Sequence, residues 1–306
     1  MRRFLLVFLL FSSLLLPYGF FNNNQVTGQS EDNYTLQLQG FAWNRTTLDV
    51  LVVTPSNESW WNPVYLNCML RAIGQWNDAI TAFTSNYSDF SYLSSLSIRS
   101  TVSNETQQGF DIYVNWTQNP LSDTEDQVGL SKATVDRGGA IINSTINLAA
   151  STNHGVAVSE ADAQNIALHE LGHSLGLGHC NYTGDLMYPA YTLEGSAKVI
   201  STLDAYAVAT VFAWKLNESS FYPVKGWFKE NSVTLPSTVP YESLPVSAEN
   251  ARPETLANNP VVQFLILIGQ ILIHPEVLVV VIAIIVIFVI IAVVPIKKRP
   301  KVVAET

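Results

Sequence analysis

His169, Glu170, His173 and His179 stand together in the stretch HELGHSLGLGH. Two histidines four apart project from one face of a helix, so their imidazoles can share one metal ion. Glu170 follows the first of them and can take a proton from a water held beside that metal. Gly176, three residues after His173, can adopt a left-handed backbone and end the helix, which lets the turned chain bring back His179 as a third nitrogen donor. Three neutral imidazoles with one position left for water describe a catalytic zinc site, because a structural site fills all four positions with protein. The chain holds only 5 histidines and 16 glycines in 306 residues, so composition alone does not produce this register.

A helix must carry the first two histidines. Ser159 is its candidate N-cap, with Asp162 in the capping-box position, and Ala163, Ile166, Ala167 and Leu171 give it an apolar side. The ligands then lie at its C-terminal end, where a core helix meets a cleft. Upstream, residues 34–40, 48–54, 110–116, 129–135 and 139–148 read as strands by alternation or β-branched content, and Gly138 and Gly139 predict a tight turn between the last two. Residues 65–83 place Leu66, Met69, Leu70, Ile73, Trp76, Ile80 and Phe83 at helical spacing, which predicts one long amphipathic helix. Residues 180–191 read as loop and 200–216 as a final helix. The fold class is α/β, five or so strands with three helices over residues 31–216.

The ends of the chain are of another kind. Residues 1–20 carry Arg2 and Arg3, then an apolar run that stops at Pro17, the form of a secretory signal peptide; an uncleaved signal anchor is the other reading. Residues 217–260 contain Pro223, Pro236, Pro240, Pro245, Pro253 and Pro260 without a sustained apolar period and read as an extracellular stalk, with a small second domain as the alternative. Residues 261–296 are an apolar segment whose stretch 277–294 has no polar or charged side chain, which predicts a single C-terminal transmembrane helix. Lys297, Lys298, Arg299 and Lys301 in the tail 297–306 hold that tail in the cytoplasm, so the catalytic domain is expected outside the cell. Sequons beginning at Asn33, Asn44, Asn57, Asn86, Asn104, Asn115, Asn143, Asn181 and Asn217 all fall between the signal and the membrane segment, as a glycoprotein exterior requires.

Charged residues make up 13% of the chain and its formal charge is −9, with no basic stripe outside the membrane-flanking cluster, so nucleic acid is not an expected partner. In an oxidising compartment Cys68 and Cys180 are expected to form a disulfide, with two buried thiols as the other reading. Asp123, Glu125 and Asp126 could bind calcium, although a solvated acidic loop is the stronger reading.

The pattern HExxHxxGxxH resembles that of the metzincin clan of zinc peptidases. Met187, within DLMYP at residues 185–189, is similar to the clan's Met-turn. Within the clan the chain most resembles the matrixins, through HELGHSLGLGH followed by LMYPAY, and more weakly over residues 34–216. The resemblance implies a metzincin-like α+β arrangement with a twisted, mostly parallel five-stranded sheet. It implies one catalytic zinc on His169, His173 and His179, Glu170 as general base, and Met187 beneath the metal. Pro189 and Tyr191 would belong to the wall of the pocket receiving the residue after the scissile bond, and the strand at 139–148 would pair with an extended substrate. Between the signal and Tyr34 there is no cysteine to cap the zinc, and outside the motif only His154 and His274 remain, so neither a cysteine latch nor a second zinc is expected. The sequence thus predicts a membrane-anchored zinc endopeptidase acting on extracellular proteins or peptides; a catalytically silent adhesion protein on the same fold is the competing reading.

Overall fold

Asn62 and Pro63 start the longest helix, α1 (Pro63–Asn86). The Asn62 side chain accepts the Val64 N–H at 3.1 Å, and proline at the first helical position gives up a donor that would have no partner there. The computed structural model describes residues 34–122, 127–190, 193, 195–216 and 231–251. The stripe anticipated from helical spacing is buried at Met69, Ile73, Trp76, Ile80 and Phe83, while Leu66 and Leu70 lie half-buried at its border. Each large side chain so buried contributes about 1.5–3 kcal/mol, far more than the helix propensity of the residue that carries it.

The strands are β1 (Leu36–Leu38), β2 (Thr47–Val53), β3 (Ser97–Ser103), β4 (Ile112–Thr117), β5 (Gly129–Val135), β6 (Ile141–Ala149), β7 (Leu177–Cys180) and β8 (Ser232–Val233). Five of them form a sheet in the order β3-β2-β4-β6-β5. The β2–β3, β2–β4 and β4–β6 pairs are parallel, and only β5 runs antiparallel, against β6. The expected mostly parallel five-stranded sheet is therefore present. Its antiparallel member follows from a short hairpin: Asp136 Oδ1 accepts the N–H groups of Gly138 and Ala140 at 2.7 and 2.9 Å, and Gly139 takes φ +87. Helix α1 packs on β3 and on α2 (Glu160–Ser174), and α2 packs on β5 and β6.

Several elements differ from the sequence reading. Strand β3 (SIRSTVS) was not anticipated because Ile98 is its only buried side chain, which leaves no apolar period to read. Residues 34–40 do contain a strand, but β1 belongs to a second, three-stranded antiparallel sheet in the order β7-β1-β8. The final helix is shorter than expected: α3 covers Thr202–Val211, followed by a 3-10 turn at Ala213–Leu216.

Residues 231–251, read as part of a stalk, pack on the catalytic domain instead. Strand β8 pairs with β1, Val233, Val239 and Leu244 are buried, Thr202 Oγ1 donates to the Pro240 carbonyl at 2.7 Å, and Ser247 and Asn250 donate to Asp78. Each apolar residue of this strap fills a separate site between prolines, so it shows neither helical nor strand period. Residues 217–230 and 252–260 of the expected stalk lie outside the described residues.

The expected disulfide is absent. Cys68 is a buried thiol on α1 beside the Glu160 carbonyl, whereas Cys180 is a buried thiol on β7, in the other sheet, where the Tyr182 N–H points to its Sγ. The two belong to different elements, and burial pushes the Cys180 thiol far above its ordinary pKa. The signal peptide, the acidic residues Asp123, Glu125 and Asp126, and the apolar stretch 277–294 lie outside the described residues. Among the described residues no helix is long and apolar enough to cross a membrane.

Candidate active site

Helix α2 begins where Ser159 Oγ accepts the Asp162 N–H at 3.2 Å and donates to the Asp162 carboxylate at 2.6 Å. It carries His169 and His173 on its last turns, with ring centroids 4.6 Å apart. The helix stops at Ser174, and Gly176 follows at φ +99, where an added Cβ would also meet the Phe41 carbonyl at 3.0 Å. Handedness and space both demand glycine there. Strand β7 starts at the next residue and carries His179, so the anticipated reversal of the chain is made by a strand rather than by a loop. Its pairing with β1, Leu36 opposite Cys180 and Leu38 opposite Leu177, sets the position of the third imidazole.

The donor set fits a zinc ion. One ligand atom from each of His169, His173 and His179 lies within 4.8 Å of the others. His169 Nδ1 donates to the Leu186 carbonyl and His173 Nδ1 to the Leu177 carbonyl, each at 2.8 Å. A carbonyl can only accept, so the proton resides on Nδ1 and Nε2 keeps its lone pair for a metal. The Gln39 side-chain amide lies 3.3 Å from His173 Nδ1. Burial pushes His169 down to about 3 and His173 to about 4, and lowers His179 as well, so all three stay neutral at pH 7 as ligands must.

Glu170 is buried, and β5 passes so close to it that a Cβ at Gly129 would meet Glu170 Oε1 at 2.5 Å and Ile166 Cγ2 at 2.7 Å. The Ser131 backbone N–H donates to the carboxyl, while Oε2 finds no hydrogen-bond partner among the described residues. Burial pushes this carboxyl up to about 8 despite the Ser131 bond. A buried carboxyl with one unsatisfied oxygen beside three neutral imidazoles is an arrangement that stability alone does not favour, and such groups mark functional sites.

Met187 is fully buried. A Cβ at Gly172 would meet its Sδ at 2.6 Å, so the turn packs directly on the active-site helix. Asp185 Oδ1 accepts the Met187 N–H at 2.9 Å, and the Met187 carbonyl accepts the Cys180 N–H at 2.8 Å, which ties this turn to β7. Trp43 and Trp76 donate their indole N–H groups to the Ser174 and Leu168 carbonyls at 2.8 and 3.0 Å and hold α2 from two other sides.

A cleft of about 470 Å³ includes the three histidines and Glu170 and is also lined by residues 127–131 and by Leu186, Tyr188, Pro189 and Ala190. Pro189 lines this cleft, whereas Tyr191 lies outside the described residues. The strand expected to pair with substrate, at 139–148, is β6, and both of its edges are occupied, by β4 and by β5. The strand that borders the cleft is β5. His154 is exposed in the turn after β6, away from the triad. Gln39, Gly129, Ser131, Asn165 and Lys198 also line the cleft and were not singled out in the sequence. Of these only Gly129 left a signal, since a glycine in a strand marks a bulge or the close approach of another group.

Comparison with known proteins agrees with this geometry. The family model described as Matrixin matches residues 53–213, which enclose the three histidines, Glu170 and Met187. The chain is similar to karilysin of Tannerella forsythia, 27% identical over 227 residues, covering 72% of this chain and 43% of that protein. It is also similar to macrophage metalloelastase of Rattus norvegicus, 36% identical over 84 residues, covering 27% of this chain and 16% of that protein. The chain thus spans less than half the length of either relative. With the family model covering more than half of the 306 residues and the metal-binding geometry in place, the chain belongs to the matrixin family of zinc metallopeptidases.

Proposed function

We propose that the protein is a zinc endopeptidase that hydrolyses peptide bonds of extracellular proteins or peptides, tethered to a membrane through residues 261–296. The observation that carries the catalytic reading is Glu170, a buried carboxyl with a free Oε2 beside three neutral imidazoles. The apolar stretch 277–294, followed by four basic residues, supports the tether, and the leader-like residues 1–20 support an extracellular catalytic domain.

His169, His173 and His179 would hold the zinc. Bound there, zinc supplies Lewis acidity, polarising a carbonyl and lowering the pKa of a water to about 7. Glu170 removes the proton from the attacking water as the peptide carbonyl is converted to a tetrahedral centre, then delivers it to the departing amine nitrogen. Ser131 fixes the carboxyl so that Oε2 is the oxygen that carries this proton. Burial favours the neutral acid, whereas a cation in the triad favours the carboxylate, so Glu170 becomes a base when the site is loaded. An extended substrate would pair its backbone with β5, the edge strand of the sheet, and seat the side chain after the scissile bond against Pro189.

A casein zymogram of the purified full chain tests this reading. Clearing that disappears with a zinc chelator and returns on adding zinc is the expected result. A zinc-loaded protein that clears no casein and cuts no peptide would instead favour a binding protein on this fold.

A further inference from the structure

Three serine hydroxyls meet where β5, β6 and α2 come together. Ser131 Oγ lies 2.9 Å from Ser174 Oγ, Ser144 Oγ lies 3.0 Å from Ser174 Oγ, and Ser131 and Ser144 close the triangle at 3.4 Å. Each hydroxyl holds one proton and two lone pairs, so every member can donate once and accept once. Ser144 on β6 and Ser174 at the end of α2 are both fully buried. Ser174 is itself held, because the Trp43 indole N–H donates to its carbonyl at 2.8 Å. Strand β5, which carries Ser131, has weaker support of its own. It is an edge strand paired only with β6, and none of its side chains is fully buried. Ala133 is its one hydrophobic residue packed on the core, and only in part.

From this triangle we infer that Ser144 and Ser174 are positioning residues for peptide cleavage, which act through Ser131 to set β5 against α2 and thereby fix Glu170 relative to the substrate. The inference rests on the peptidase reading above and deepens it. Glu170 lies on α2, whereas the N–H that holds its carboxyl, from Ser131, and the close approach at Gly129 both lie on β5. A slip of β5 would therefore move the support of the carboxyl, together with any substrate paired to that strand, relative to His169 and His173 on α2. Apolar contact is non-directional and resists such a slip poorly. A closed set of hydroxyl hydrogen bonds fixes direction as well as distance, and its members strengthen one another. A misplacement of about 1 Å can cost about 10²-fold in rate, so the partial slackening left by one missing hydroxyl is expected to cost about tenfold. Substrate would still pair with the backbone of β5, so the loss falls on kcat rather than on KM.

The test compares zinc-loaded full chains carrying Ser144→Ala, Ser174→Ala or both with wild type, on one peptide substrate, with zinc content measured in each. Either single variant should lower kcat about tenfold, with KM within about twofold of wild type and one zinc still bound. The double variant should be no slower than the slower single, because a ring already opened has little more to lose. Ser159→Ala, which loosens the far end of the same helix, should keep the wild-type kcat and so separates positioning from general loss of stability. The two single variants lie on different elements, so one that does not fold leaves the other to decide. Wild-type kcat in the single variants, losses that multiply in the double variant, or a loss in Ser159→Ala as large as theirs overturns the positioning role while leaving the peptidase intact. A wild type that cuts neither this peptide nor casein removes the peptidase reading and this inference with it.

Discussion

His169 and His173 are placed by a helix whose cap, turns and stop all lie within residues 159–176, whereas His179 is placed by a sheet of three short strands drawn from residues 36–38, 177–180 and 232–233. The helix half is local: once Ser159 caps it and Gly176 ends it, the spacing of the first two ligands is set. The sheet half is non-local, and its outermost strand arrives in a strap that begins more than 50 residues after the third ligand. The matrixin model matches residues 53–213, which include β7 but neither β1 nor β8, so the third ligand is supported by segments beyond the matched residues. One metal site can therefore combine a stiff half with a half whose stability depends on distant packing.

The comparison can be broken in several places. His173→Ala should abolish stoichiometric zinc binding, and metal analysis would read it directly. Gly129→Ala strikes neither half, because its Cβ displaces Glu170; zinc should remain while kcat falls on the order of 10²-fold. Val233→Asp puts a charge into the buried contact between β8 and β1 and should weaken zinc binding roughly 10-fold in a competition titration. In the helix half, Ser159→Ala should cost about 1 kcal/mol of stability yet leave zinc affinity unchanged. If Ser159→Ala weakens zinc as much as Val233→Asp does, the division into stiff and dependent halves is wrong.

The smallest effect is one of pH. Burial, reinforced by Asp185, holds the Asp204 carboxyl well above its unfolded value, so the folded state binds a proton that the unfolded state releases. Stability attributable to this group then falls as pH rises from about 4 towards the raised pKa, by at most about 1.4 kcal/mol per pH unit. Asp204→Asn can keep an acceptor for the Ser201 cap and should lose this slope. Thermal unfolding of both proteins between pH 4 and 8 would show parallel curves if the account of Asp204 is wrong.

These same contrasts explain what could be read in the sequence. The ligands His169 and His173, the proposed base Glu170, the stop at Gly176 and the cap at Ser159 are legible because each is defined by spacing within one element. The long stripe of α1 is legible for the same reason. Whether a strand is central or at an edge is decided by partners elsewhere in the chain, so the substrate-facing role was assigned to residues 139–148 when β5 is the strand at the cleft. Strand β8 has two residues and its strap no period, which is why it resembled a linker. The disulfide was inferred from the expected compartment, and the two cysteines are instead separate buried thiols on α1 and β7. Lys198 and Asn165 meet in the cleft across a loop, a juxtaposition that no local pattern announces.

The central claim is that Glu170 does the proton chemistry within a site whose metal is held by the three histidines alone. The most direct measurement is zinc content and casein cleavage of Glu170→Gln beside wild type in the same preparation. The account predicts one zinc per chain in both proteins and a loss of cleavage on the order of 10²–10⁴-fold in the variant. Cleavage by Glu170→Gln at the wild-type rate would contradict it.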